Sequence, residues 1–173
     1  MSHRIHLFDT TLRDGAQTQG VSFNAADKRA IAEALDRLGV DYVEGGWPGA
    51  NPTDDAVFAA PPQLRRARFT AFGMTRRPGR SAANDPGLAA LAGSGARAIC
   101  MVGKTWTYHV ETALQTTREE NLAMIGDSLA HLRTRPGVEE VLFDAEHFFD
   151  GYKAEPDFAL ACLDRALAAG ARW

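Results

Sequence analysis

The stretch Asp9-Thr-Thr-Leu-Arg13-Asp14-Gly15-Ala-Gln17 sets a carboxylate directly beside a guanidinium in a short polar segment. The Asp14 oxygens suit a divalent cation such as Mg²⁺, Mn²⁺ or Zn²⁺. Arg13 can then offset negative charge on a bound keto acid or on an oxyanion formed from it. A structural ion pair explains the same two residues, and spacing alone does not choose. A second concentration is Asp144-Ala-Glu146-His147, followed by Asp150 and Tyr152. On an extended strand Asp144 and Glu146 share a face and His147 points the other way. Glu146 is therefore a candidate base, or else a loop or helix-capping carboxylate. Glu44 is open in a similar way, as a site carboxylate or as the partner that positions Arg13. Lys104, Thr105, Trp106 and His109 form a third polar segment. The side chains expected to contact substrate are Arg13, Gln17, Glu44 and His109.

These segments follow short apolar runs, and that order is what positions them. Strands are predicted over Arg4–Phe8, Tyr42–Gly45, Arg68–Phe72, Ala98–Val102 and Glu140–Ala145, each nearly continuous in apolar character, as in a parallel sheet. A sixth begins at Ala171. Helices lie between them. Asn24 caps one that carries Ile31, Leu35 and Leu38 on one face and stops at Gly39. Asn51-Pro52 opens the next, with Asp54 and Asp55 in its first turn. Pro86–Leu91 is short. Thr117 and Glu120 make a capping box ahead of Leu122, Ile125, Leu129 and Leu132, and Pro136-Gly137 ends that helix. Pro156 starts another, with Leu160, Leu163 and Leu167 on one stripe and Gly170 at its end. The strands begin roughly 33 residues apart, the period of a βα unit. An open doubly wound sheet and a (β/α)8 TIM barrel both fit. In either, active-site groups collect at the C-terminal ends of the strands, where the three polar segments lie. A barrel needs about 250 residues, so the chain reads as five and a half units of one.

Composition narrows the function classes. The net charge is −3, which does not favour nucleic acid. The clusters Arg65-Arg66-Arg68 and Arg76-Arg77-Arg80 read as solvated faces, with a hold on a phosphorylated substrate such as coenzyme A as the lesser reading. Cys100 and Cys162 sit in apolar runs and read as buried thiols in a reducing compartment. No signal peptide and no membrane span is expected, so the location expected is cytoplasmic. Gly103-Lys104-Thr105 ends like a phosphate-binding loop, but position 98 is Ala98 where the earlier glycine is required. No nucleophile elbow is present.

Phe8–Gln17 resembles the opening motif of the metal-dependent barrel superfamily that contains isopropylmalate, homocitrate and citramalate synthases and hydroxymethylglutaryl-CoA lyase. Asp41–Asp54, Phe72–Gly79, Gly103–Val110, Thr117–Ser128 and Phe143–Leu160 make the likeness closest to the citramalate synthases of isoleucine biosynthesis. The resemblance implies a (β/α)8 barrel of which residues 1–173 are the N-terminal portion. It implies Asp14 as a metal ligand, Arg13 as catalytic, and Glu146 at a position assigned to catalysis. It further implies a divalent metal (Mg, Mn or Zn), acetyl-CoA as co-substrate, pyruvate as acceptor and a homodimer. The reaction implied is an acyl transfer that makes citramalate. An isopropylmalate or homocitrate synthase, a lyase running the cleavage, and a half-barrel that acts by association are the alternatives. Two further metal ligands, from a His-x-His motif after strand 7, lie outside these 173 residues, and the chain alone is expected to be inactive.

Overall fold

The computed structural model describes residues 4–173. Five parallel strands lie in the order β1-β2-β3-β4-β5 and curl into half a barrel. They are β1 (Phe8–Asp9), β2 (Tyr42–Gly46), β3 (Arg68–Met74), β4 (Ala98–Lys104) and β5 (Glu140–Glu146). The helices between them are α1 (Ala25–Leu38), α2 (Pro52–Ala59), α3 (Pro86–Gly93), α4 (Thr107–Thr112), α5 (Arg118–Arg133), α6 (Phe148–Ala154) and α7 (Pro156–Ala168). One face of the sheet packs Ile99, Met101 and Val141 against Leu88, Leu91, Ile125, Leu129 and Phe158. The other face gathers Tyr42, Ala98, Cys100 and Leu142 into a small inner core.

The first strand is shorter than predicted and displaced along the chain. Only Phe8 and Asp9 pair, with Tyr42 and Val43. Ahead of them, Asp41 holds Arg4 and the Leu7 amide with its carboxylate, while Ile5 and Leu7 stay exposed. An edge strand with a single neighbour has no second ladder to extend it. The other strands run one to two residues past their predicted ends. At the far edge, the sixth strand expected from Ala171 does not form among the described residues, although two backbone bonds join this segment to β5. Arg172 N–H donates to the Val141 carbonyl at 2.9 Å, and Phe143 N–H donates to the Trp173 carbonyl at 2.9 Å.

Two apolar stripes differ in part from expectation, although Ile31 and Leu35 of α1 pack against the core as predicted. On α1 the buried positions are Lys28, Ala32 and Asp36, while Leu38 is 78% exposed. Both charges have buried partners. Asp36 accepts the amides of Arg65, Arg66 and Ala67 at 2.7–3.0 Å, which holds its carboxyl below the usual range even though burial opposes this. On α7 the buried positions are Phe158, Ala159, Cys162 and Ala166. These mostly small side chains let the helix approach α5 and β5, and Leu160 and Leu167 turn outward. The capping boxes also differ. Asn24 and Asp27 form a complete one at α1. Thr117 accepts the Glu120 amide at 3.1 Å, but the Glu120 carboxylate does not return the bond. It accepts instead from Arg76 at 2.6 Å and from the Gly79 amide at 3.0 Å. Arg76 is consequently buried between Glu120 and Asp127, not solvated as the cluster reading expected.

The loop after β2 is held by a buried ion pair. Lys28 Nζ binds Asp54 and donates to the Gly45 carbonyl at 3.1 Å. The second Asp54 oxygen accepts the Trp47 amide at 2.8 Å and Asn51 Nδ2 at 3.0 Å. Two glycines make the approach possible. A Cβ on Gly45 would lie 2.0 Å from the Phe69 ring, and one on Gly46 would lie 2.5 Å from the Asp54 carboxyl carbon. Removing one partner of a buried pair strands the other charge, at a cost of about 3–5 kcal/mol. Lys28→Met is therefore expected to lower unfolding stability by about that amount in urea titrations. An unchanged midpoint would mean that the pair contributes nothing to the fold.

Candidate active site

The ends of the strands bring the candidate residues into two neighbouring groups. The first surrounds Arg13, on the turn between β1 and a 3-10 turn at Gly15–Gln17. Arg13 Nε donates to Glu44 Oε2 at 2.7 Å, and Nη1 donates to Asp14 Oδ1 at 3.1 Å. Its guanidinium also lies 3.8 Å from the centroid of the Phe72 ring. Arg13 is thus fixed from three sides, by β2, β3 and its own loop. Glu44 is 1% exposed, so of its two open readings the geometry supports the positioning partner. Burial pushes the Glu44 carboxyl upward, and the Arg13 guanidinium pulls it back. Cys100 is buried as expected, and burial raises its thiol well above the ordinary range. Asp14 is more open, with a 62% exposed side chain. Gln17 is exposed on the rim of a cleft of about 370 Å³, together with Arg13, Phe23, Trp47 and Thr53. A comparable cleft of about 330 Å³ lies at the opposite end of the strands, beside Arg66, Arg68 and Arg97. It contains none of the candidate residues.

The second group lies at the ends of β4 and β5. Lys104 Nζ binds Glu146 Oε2. The Thr105 hydroxyl donates to the Glu146 carbonyl at 2.8 Å, which locks the two strand ends together. Asn121 Nδ2 donates to the Lys104 carbonyl at 2.9 Å. His147 departs from the strand alternation that would have pointed it away. The strand stops at Glu146, and His147 takes a left-handed conformation with φ 54°. Its ring comes to 4.5 Å from that of His109, centroid to centroid, and Trp106 packs against both. His147 Nδ1 also contacts Asp150 Oδ2 at 3.0 Å. Burial, with help from His147 and Lys104, lowers the His109 pKa, which favours its neutral form. Asp144 sits between the two groups, sensing Arg13 and Asp14 on one side and Glu146 and Lys104 on the other, with its carboxyl raised chiefly by burial.

The fit to a metal is uneven. Asp14 belongs to no set of three ligating side chains among the described residues; the set that exists is His109, Glu146 and His147. One carboxylate does not satisfy a divalent ion, which takes several ligands. The residues here therefore do not complete a metal site at Asp14. Sequence reasoning missed the roles of Lys104, Phe72 and His147, and it missed Lys28 as the anchor of the β2 loop. The left-handed turn at His147 had no signal in the sequence, because no Gly or Asn follows Glu146 to mark the strand's end.

The curled parallel sheet, its helices and the polar face at the strand ends define a protein of the (β/α)8-barrel class. The HMGL-like family model matches residues 4–173, and the chain belongs to that family. It is 48% identical to an (R)-citramalate synthase of Aquifex aeolicus over the whole chain, which covers 33% of that relative. It is 36% identical to a 2-isopropylmalate synthase of a Synechococcus species over 97% of the chain and 30% of the relative. The chain thus spans about a third of the length of the curated relatives it matches. A hydroxymethylglutaryl-CoA lyase structure from Pseudomonas aeruginosa shares the fold with a TM-score of 0.73 at 18% identity, over 97% of this chain and 55% of that one. Among the described residues no helix is long and apolar enough to cross a membrane.

Asp144 offers a test of the site's electrostatics. Its raised folded-state pKa means that the native chain holds this proton more tightly than the unfolded chain. Stability from this group is present at low pH and is lost as pH rises through the folded pKa. Asp144→Asn removes that loss. Its stability relative to wild type is expected to improve from about pH 4 to about pH 8 in paired urea titrations. A difference that stays flat, or declines, would show that burial does not disfavour this carboxylate.

Proposed function

We propose that this chain is the N-terminal portion of the catalytic barrel of a citramalate synthase. The reaction is acetyl-CoA plus pyruvate plus water giving citramalate and free coenzyme A. The observation that carries the reading is Arg13, clamped by Glu44 and Phe72 beside Asp14, at the same end of the sheet as Glu146 and His109. The greater likeness to citramalate synthases than to isopropylmalate synthases supports pyruvate as the acceptor. The same reading places the enzyme in isoleucine biosynthesis, in the cytoplasm and as a homodimer.

In this reading a group near the thioester removes a methyl proton from acetyl-CoA. We assign that step to Glu146, which is ion-paired with Lys104. The enolate attacks the pyruvate carbonyl carbon, and Arg13 offsets the charge of the alkoxide that forms. Water then cleaves the thioester and releases the thiol. Gln17, Glu44 and His109 shape the substrate contacts, Glu44 through its hold on Arg13. A divalent metal in such an enzyme polarises the keto acid; Asp14 is the ligand this segment offers.

A second reading, association with another chain, is favoured by the apolar side chains at both edges of the half-barrel. Ile5 and Leu7 are exposed on one side, and Leu160, Leu167 and Trp173 on the other. Open apolar edges invite pairing. Self-association visible by light scattering supports this reading, and a well-behaved monomer counts against it.

The condensation is tested by replacing the matching segment of the Aquifex relative with these residues and following free thiol release. Turnover is expected with acetyl-CoA and pyruvate, with bulkier 2-keto acids much poorer. Arg13→Lys and Glu146→Gln are each expected to lower kcat by about 10²–10³-fold. A chimera that folds but turns over only a bulkier keto acid, or variants as active as the parent, would refute the assignment.

A further inference from the structure

Three side chains at the ends of β4 and β5 present ligand atoms that all lie within 4.8 Å of one another: His109, Glu146 and His147. Asp14 is not among them. The arrangement has features that ordinary packing does not require. His109 Nδ1 is buried and has no hydrogen-bond partner, and a buried imidazole nitrogen normally finds one. His147 adopts a left-handed backbone, an uncommon state for a non-glycine residue. That turn carries its ring back toward His109, giving a T-shaped contact at 4.5 Å. Asp150 Oδ2 takes the Nδ1 side of His147 at 3.0 Å. When Nδ1 carries the proton, Nε2 keeps its lone pair. A carboxylate behind a histidine is the outer-shell arrangement that orients and strengthens a metal-binding imidazole.

We propose that His109, Glu146 and His147 form a divalent-cation site separate from Asp14. Two imidazole nitrogens and one carboxylate oxygen suit Zn²⁺ and similar borderline ions better than Mg²⁺ or Ca²⁺. Three protein ligands leave a position for water or for an oxygen of a bound molecule, as in an open zinc site. Lys104 occupies Glu146 Oε2, leaving Oε1 to the ion. Its ammonium weakens the site without filling it. Trp106 packs against both histidine rings and limits their rotation. An ion here and the base role proposed for Glu146 compete for the same carboxylate, and a binding measurement reads the site without the condensation chemistry.

The test is calorimetric titration of the 173-residue chain, free of any histidine tag, with Zn²⁺, alongside the visible spectrum with Co²⁺. One ion per chain is expected for the wild type and for Asp14→Asn. His147→Asn removes the imidazole from a 47% exposed side chain and suits the left-handed backbone, so the fold is retained. It is expected to weaken binding at least a hundredfold and to abolish the Co²⁺ ligand-field bands. His109→Ala is expected to do the same, and Asp150→Asn to weaken binding about 10–100-fold. No binding by the wild type would overturn the proposal. So would binding undiminished in His147→Asn, or binding lost in Asp14→Asn alone.

Discussion

A carboxylate sealed inside a protein needs a cationic partner or must give up its charge. Glu44 is sealed in this way at the end of β2, and its partner is Arg13. That one requirement organises the rest of the face. It draws the β1 loop across the top of the sheet and sets the guanidinium over Phe72. It leaves Asp14 exposed to solvent beside it. The Gly45-Gly46 pair and the Lys28–Asp54 anchor serve the same end, since they fix the backbone on which Glu44 is carried. The buried charges of α1 follow the same rule: Lys28 and Asp36 turn inward alongside Ile31 and Leu35, and Leu38 is left outside.

The second group of polar residues obeys a different logic. Lys104 and Glu146 come from adjacent strand ends in register, and the strands cannot slip because Thr105 bonds the Glu146 carbonyl. Asp144 is the electrostatic link between the two groups, since both reach its carboxylate. The two groups therefore have Asp144 as a common neighbour.

Much of the architecture was legible in the sequence. Near-continuous apolar runs between capped helices imply the parallel βα order, and the C-terminal-end rule puts Arg13, Glu44, His109 and Glu146 on one face. Helix starts were legible where the cap is local, as at Asn24, Asn51 and Thr117. What failed was non-local. Leu38, Leu160 and Leu167 look like core by periodicity, but α1 turns its charges inward to reach Asp54 and the Arg65–Ala67 amides, and α7 approaches its neighbours with small residues. Glu120 left its capping box because Arg76, distant in sequence, needed a buried partner. His147 was assigned to the wrong face because alternation holds only while a strand continues. The choice between a structural ion pair and a working arginine at Arg13 was likewise beyond spacing. Burial of Glu44 and the ring of Phe72 supplied the geometry that spacing lacked.

The central claim is that Glu44 acts through Arg13, and a double-mutant cycle reads this directly. Turnover by the citramalate synthase chimera is measured for Glu44→Gln, for Arg13→Lys and for the two together. If the buried carboxylate serves only to hold the guanidinium, the double variant is no slower than Arg13→Lys alone. Losses that multiply across the two sites would contradict the account, because each residue would then contribute independently of the other.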